Sequence, residues 1–120
     1  MNADTAETAV SIIEQEVITR ESPAEVDEVG RVLLEAAEIV RRGWCQGALV
    51  TSGGKYCVLG ALNVVTCGDV YSLQYSSENL AARKRLRESL GIVWLHTWNN
   101  APGRTAEEVA EALERAACGL

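Results

Sequence analysis

The stretch on which the fold turns is Cys57-Val58-Leu59-Gly60-Ala61-Leu62-Asn63-Val64-Val65. It is apolar nearly all round, so it shows no polar face of the kind an amphipathic helix carries. It is either a central buried helix or a buried strand. Its valines favour a strand, whereas its length and the Gly60-Ala61 pair favour a helix that neighbours can approach closely. The helix reading is adopted, and it makes the domain mainly α.

The flanking segments agree with that choice. Ser22-Pro23-Ala24-Glu25 reads as a helix start, with Ser at the N-cap, Pro at the first helical position and Glu able to reach back to the cap. Val26, Val29, Leu33, Ala37 and Val40 then recur at helical spacing until Arg41 and Arg42 favour the C-terminal dipole and Gly43 ends the helix. Thr105-Ala106-Glu107-Glu108 repeats the capping-box pattern, with Val109, Leu113 and Ala116 as the buried face running down to Gly119. Ser77 can cap a helix through Leu80, Leu86 and Leu90 that stops at Gly91. Near the N-terminus Ala6, Ala9, Ile13 and Val17 form a further stripe after an Asp4 or Thr5 cap.

Two stretches fit more than one structure. Trp44 to Lys55 holds Gly53-Gly54 between short apolar runs, which suits a small β-hairpin near residues 47–58. Ile92 to Trp98 is apolar and aromatic and meets the turn cluster Asn99-Asn100-Ala101-Pro102-Gly103, so it reads as one strand or a short helical turn. The expectation is a compact bundle of four to five helices. Residues 22–120 form a single helical domain, preceded by an acidic helical segment, residues 1–21, that docks loosely.

Composition narrows the class. One hundred and twenty residues, 48% hydrophobic and 23% charged, describe one globular domain with a core of its own. Residues 1–17 lack the basic and apolar regions of a secretory signal, and no apolar run is long enough to span a bilayer, so the chain reads as cytoplasmic. Cys45, Cys57, Cys67 and Cys118 include no CxxC pair and lie far in sequence from the single His96, so they read as free, small hydrophobes with no metal or cofactor implied. The net charge of -6 is uneven: residues 1–40 carry -8, residues 41–100 carry +4 and residues 101–120 carry -2. The basic cluster Arg83, Lys84, Arg85 and Arg87 reads as a solvated face turned toward the acidic helix before it. An acidic chain repels polyanions, so nucleic acid is not the expected partner.

Chemistry-bearing patterns are sparse. The carboxylates of the second and last helices read as solvated faces, and Gly53-Gly54-Lys55 lacks the full spacing of a phosphate loop. Cys57, placed where a helix dipole would lower its pKa, comes in order before His96 and Asn99, as in cysteine hydrolases. The aromatics cluster at element ends. Trp44, Tyr56, Trp94 and Trp98 are placed to staple core corners in a chain without Phe, or to line a cleft with Asn99 and Asn100 nearby.

The order of short motifs resembles a known family. A helix ending in Gly43-Trp44 is followed by Gly47, then Tyr56-Cys57-x-x-Gly60-Ala61-Leu62. Trp98-Asn99-Asn100-x-Pro102-Gly103-Arg104-Thr105 comes next, and a last helix carries Glu108-Val109. This arrangement, over about residues 24–118, is similar to that of a family of small uncharacterised proteins of actinobacteria and the phages that infect them, a domain of unknown function. The resemblance implies a compact, intracellular, mainly helical domain without an established activity, and it directs attention to Cys57, Gly60, Trp98, Asn99 and Arg104 as a clustered site. Where the family pattern favours Trp-Asn-Asp, this chain has Asn100.

The leading expectation is a non-enzymatic module that binds another protein, as a regulatory or phage–host interaction factor. Its candidate contact residues are Trp44, Tyr56, Trp94, Trp98, Asn99, Asn100 and Arg104. The alternative is a cysteine-dependent hydrolase or transferase using Cys57, His96 and Asn99. A third is a small-ligand pocket lined by Trp44, Trp94 and Trp98.

Overall fold

In the computed structural model, which describes residues 26–71 and 75–119, the stretch that decides the fold is helical. The chain runs α1 (Glu28–Arg42), α2 (Val58–Cys67), α3 (Ser77–Leu90), α4 (Leu95–Asn99) and α5 (Ala106–Ala117), and no sheet forms among the described residues. The expected helix over residues 6–17 and the Ser22-Pro23-Ala24-Glu25 start lie outside the described residues.

α1 begins later than that start signal predicts. Val26 and Asp27 are not helical, and Asp27 is the N-cap, its carboxylate accepting from the Gly30 N–H at 2.8 Å. The same carboxylate receives both terminal nitrogens of Arg85 on α3, at 2.9 and 2.7 Å. Asp27 thus both caps α1 and ties it to α3 through charge-assisted bonds. The cap of α3 likewise moves by one residue: Ser76, not Ser77, accepts from the Asn79 N–H. At α5 the predicted capping box is present, with Thr105 and Glu108 each accepting from the other's backbone.

α1 makes its most extensive contact with α5 and also packs on α2 and α3, while α4 lies against α2. Their shared core is built from Val32, Leu33, Ala36, Ala37 and Val40 of α1, Val58, Ala61 and Leu62 of α2, Ala82 and Leu86 of α3, Leu95 of α4, and Val109, Ala110, Leu113 and Ala116 of α5. Alanines let α1 and α5 approach closely, and the four leucines Leu33, Leu62, Leu86 and Leu113 supply bulk. Each is fully buried, a contribution of about 1.5–3 kcal/mol apiece. Trp44, Tyr56 and Trp98 pack against this core from its edge, as corner staples do, whereas Trp94, Tyr71, Tyr75 and Leu80 are exposed.

α2 is held tightly at its start. A Cβ on Gly60 would sit 2.1 Å from the Leu49 carbonyl oxygen, so only glycine allows the loop to cross the helix there. That loop, residues 43–57, is not a hairpin ladder. It forms two isolated bridges, Trp44 with Tyr56 in parallel and Val50 with Tyr56 antiparallel, and Gly47 and Gly54 turn the chain at φ 81° and 80°. The chain needs Cys57 as the N-cap of α2, which stops the second arm before it can pair further. Ile92 to Trp98 resolves into an extended approach and the helical turn of α4.

Candidate functional site

Asn99, at the end of α4, is fully buried. Its Oδ1 accepts from the Trp44 indole N–H at 2.8 Å and from the Val58 N–H at 3.1 Å, the latter one of the donors that the first turn of α2 cannot satisfy internally. Its Nδ2 donates to the Cys45 carbonyl at 3.1 Å and to Asn100 Oδ1 at 3.0 Å. Asn100 Oδ1 also accepts from the Gly47 N–H at 2.9 Å, and Gln46 Nε2 donates to the carbonyls of Asn99 and Ala101, both at 3.0 Å. Arg104 closes the corner, with Nε donating to the Trp98 carbonyl at 2.9 Å and its guanidinium 4.2 Å from the Trp98 ring centre. Trp44, Trp98, Asn99, Asn100 and Arg104 are thereby brought together as one polar lock between the 43–57 loop, α2 and α4.

Cys57 lies beside the lock. Its sulfur caps α2 by accepting from the Gly60 N–H at 3.3 Å, and its backbone N–H donates to the Leu49 carbonyl. Burial pushes its thiol up from the ordinary cysteine value, and burial pushes Cys45 up as well. That direction is opposite to the activation a nucleophilic thiolate needs. Cys57 and His96 do share the wall of a pocket of about 250 Å³, with Asn99 and Asn100, but among the described residues no hydrogen bond joins the sulfur to the imidazole. Among the described residues no group of three or more His, Cys, Asp or Glu side chains could hold a metal ion.

Trp94 and Tyr56 stand apart from the lock. Tyr56 is half-buried at another depression with Ile39, Arg42 and Val64. Trp94 and Val93 precede α4 and are 65% and 68% exposed, with the Trp94 and His96 rings edge to face at 6.0 Å. They rim an open groove of about 440 Å³ whose other walls are Leu59, Leu95, His96, Arg83 and Arg87. The three indoles therefore do not share one cleft: only Trp94 reaches this groove, while Trp44 and Trp98 serve the lock.

The basic cluster, read as one solvated face, divides. Arg85 holds Asp27 and Lys84 pairs with Glu88 along α3, while Arg83 and Arg87 turn to the groove. Arg83 is fixed by a buried network that sequence reasoning did not find. Its Nε donates to Asn79 Oδ1 at 2.8 Å and its Nη2 to Asn63 Oδ1 at 3.0 Å, while Asn79 Nδ2 donates to Asn63 Oδ1 and to Thr66 Oγ1. Tyr75 lies against the guanidinium at 4.1 Å. The available signal was Asn63, a lone polar residue inside an apolar run, together with Asn79 and Arg83 one helical turn apart.

The fold and site define a helical domain, with five helices among the described residues, in which a buried asparagine locks loop to helices beside an apolar and cationic groove. Residues 24–118 match the model of a family described as being of unknown function, DUF6197, and the chain belongs to that family. No curated protein and no solved structure was found to match it. Among the described residues no helix is long and apolar enough to cross a membrane.

Proposed function

We propose that this domain is a protein-binding module whose contact surface is the groove rimmed by Trp94 and Val93. The exposure of these two adjacent apolar side chains carries the reading. Single exposed hydrophobics are ordinary, but here two neighbours continue into a groove over Leu59 and Leu95, the pattern of a recognition surface. Tryptophan and arginine, both present, are the side chains that most often dominate binding energy at protein interfaces. In this reading Trp44, Trp98, Asn99, Asn100 and Arg104 form the frame that fixes the α4 corner, and Trp94 makes the contact. A regulatory or phage–host interaction factor would work in this way.

A random-sequence peptide display library panned against the full chain tests it. The expected result is enriched peptides whose binding is lost in Trp94→Ala while the circular dichroism of the variant is unchanged. Absence of enrichment, or enrichment indifferent to Trp94→Ala, overturns the reading. The thiol-dependent hydrolase or transferase reading is supported by the wall that Cys57 and His96 share, and it requires a fast-reacting Cys57 thiol.

A further inference from the structure

We infer that the segment bound at the Trp94 groove is an acidic stretch of partner protein, which seats a bulky apolar side chain over Leu59, Leu95 and Trp94 and sets carboxylates against Arg83 and Arg87. The inference rests on the protein-binding reading above. Its ground is the way the chain's cations are distributed among its carboxylates.

Most of them are already matched. Arg31 meets Glu28, Arg41 meets Glu107 and Glu114, Arg42 meets Glu38, Lys84 meets Glu88, Arg85 meets Asp27 and Arg104 meets Glu108. Among the described residues, Arg83 and Arg87 have no carboxylate partner, and both line the same groove. Lys55 and Arg115 share that state but lie elsewhere on exposed surface. Among the described residues no acidic side chain lines the groove, so none of them offsets the two guanidinium charges in its wall.

Arg83 is in addition held in place by neutral groups. The amide oxygens of Asn63 and Asn79 and the Tyr75 ring fix its orientation without cancelling its charge. A guanidinium ordered in advance loses little side-chain freedom when a carboxylate arrives, and its planar fork matches carboxylate geometry. The apolar half of the groove gives such a segment an anchor that a free anion would lack. Nucleic acid fits less well: two cations cannot follow a phosphate backbone, and a net charge of -6 repels a long polyanion while tolerating a short acidic stretch.

The test uses the peptides enriched on the full chain, their Asp/Glu→Asn/Gln counterparts, and the variants Arg87→Glu and Arg87→Lys. Arg87 is chosen because its side chain holds no other element in place among the described residues. The expected peptides carry Asp or Glu beside a large apolar residue, and their affinity falls about tenfold or more in Arg87→Glu, in the neutralised counterparts and on adding salt, with Arg87→Lys retaining most of it. Trp94-dependent peptides without acids that bind Arg87→Glu unchanged overturn the acidic-segment inference and leave the protein-binding reading standing. A single-stranded oligothymidylate that binds through Arg87, or concentration-dependent self-association relieved by Trp94→Ala, replaces the occupant with nucleic acid or a second copy and likewise overturns it. If no Trp94-dependent peptide emerges, the protein-binding reading itself falls.

Discussion

The Asn99 amide has two acceptor and two donor positions, and all four are taken. Both groups that reach its oxygen, an indole N–H and a backbone N–H, can only donate, which fixes the orientation of the amide. Removing it in Asn99→Ala strands the Trp44 and Val58 donors and the Cys45 carbonyl in a buried site, at about 1–3 kcal/mol for each group that finds no new partner. The expected loss is about 3–5 kcal/mol by urea denaturation, the range that marks a broken buried network. Trp44→Phe removes one donor and leaves the Val58 bond, so it should cost about 1–2 kcal/mol; equal losses in the two variants would show that Asn99 is not the hub. Cys57 gives a second test at this scale. The residue is 5% exposed and its thiol is pushed up by burial, whereas Cys118 is exposed, so a thiol reagent followed by mass mapping should label Cys118 first and Cys57 only as the chain opens. Fast labelling of Cys57 in the folded chain would instead favour the thiol-dependent activity.

At the scale of elements, the start of α1 is set by a charge from another helix. The Arg85 guanidinium, with the Gly30 N–H, holds the Asp27 carboxyl well below the usual carboxylate range. A carboxyl depressed in the folded chain contributes stability above its unfolded value, near about 4, and loses it as pH falls toward the folded value. Asp27→Asn keeps an N-cap acceptor and removes the charge, so the stability gap between wild type and variant should be widest at neutral pH and close as pH drops below about 4. Urea midpoints measured over that range decide it: a constant gap would mean that the cap alone matters. Gly60→Ala tests the other tight contact. The new methyl would meet the Leu49 carbonyl oxygen, a backbone atom with no freedom to swing away, and the cost should reach or exceed the upper end of the about 1–3 kcal/mol usual for overpacking. These elements also show how far a sequence can be read. The helical nature of residues 58–67, the Thr105 box and the Gly91 stop are encoded locally and could be seen. The Arg85 tie to Asp27, the Asn99 bond to Val58 and the Arg83 bond to Asn63 join residues 20 to 58 apart, and no local spacing encodes those pairings. The motif order directed attention to Cys57, Trp98, Asn99 and Arg104, and the hydrogen bonds these residues make are visible only in the structure.

The whole molecule divides its side chains between holding the fold and facing outward. Without Phe, its core takes volume from leucine and valine and closes it with alanine, and Trp44 and Trp98 are spent at the corners. Among the described residues its charges follow the same division: Arg85 ties the basic middle to Asp27, Arg41 ties it to Glu107 and Glu114, and Arg83 and Arg87 at the Trp94 groove have no carboxylate partner. On that division the exposed Trp94 side chain contributes little to stability. Trp94→Ala should change the free energy of unfolding by no more than about 0.5 kcal/mol, the range of a surface substitution, since its ring contact is with the exposed His96. It should also shift the tryptophan emission to shorter wavelength, because the exposed indole is lost and the half-buried Trp44 and Trp98 remain. Denaturant unfolding followed by circular dichroism gives the first quantity and the emission spectrum the second. A loss above about 1 kcal/mol would make Trp94 part of the fold and remove the premise that its exposure is reserved for a partner.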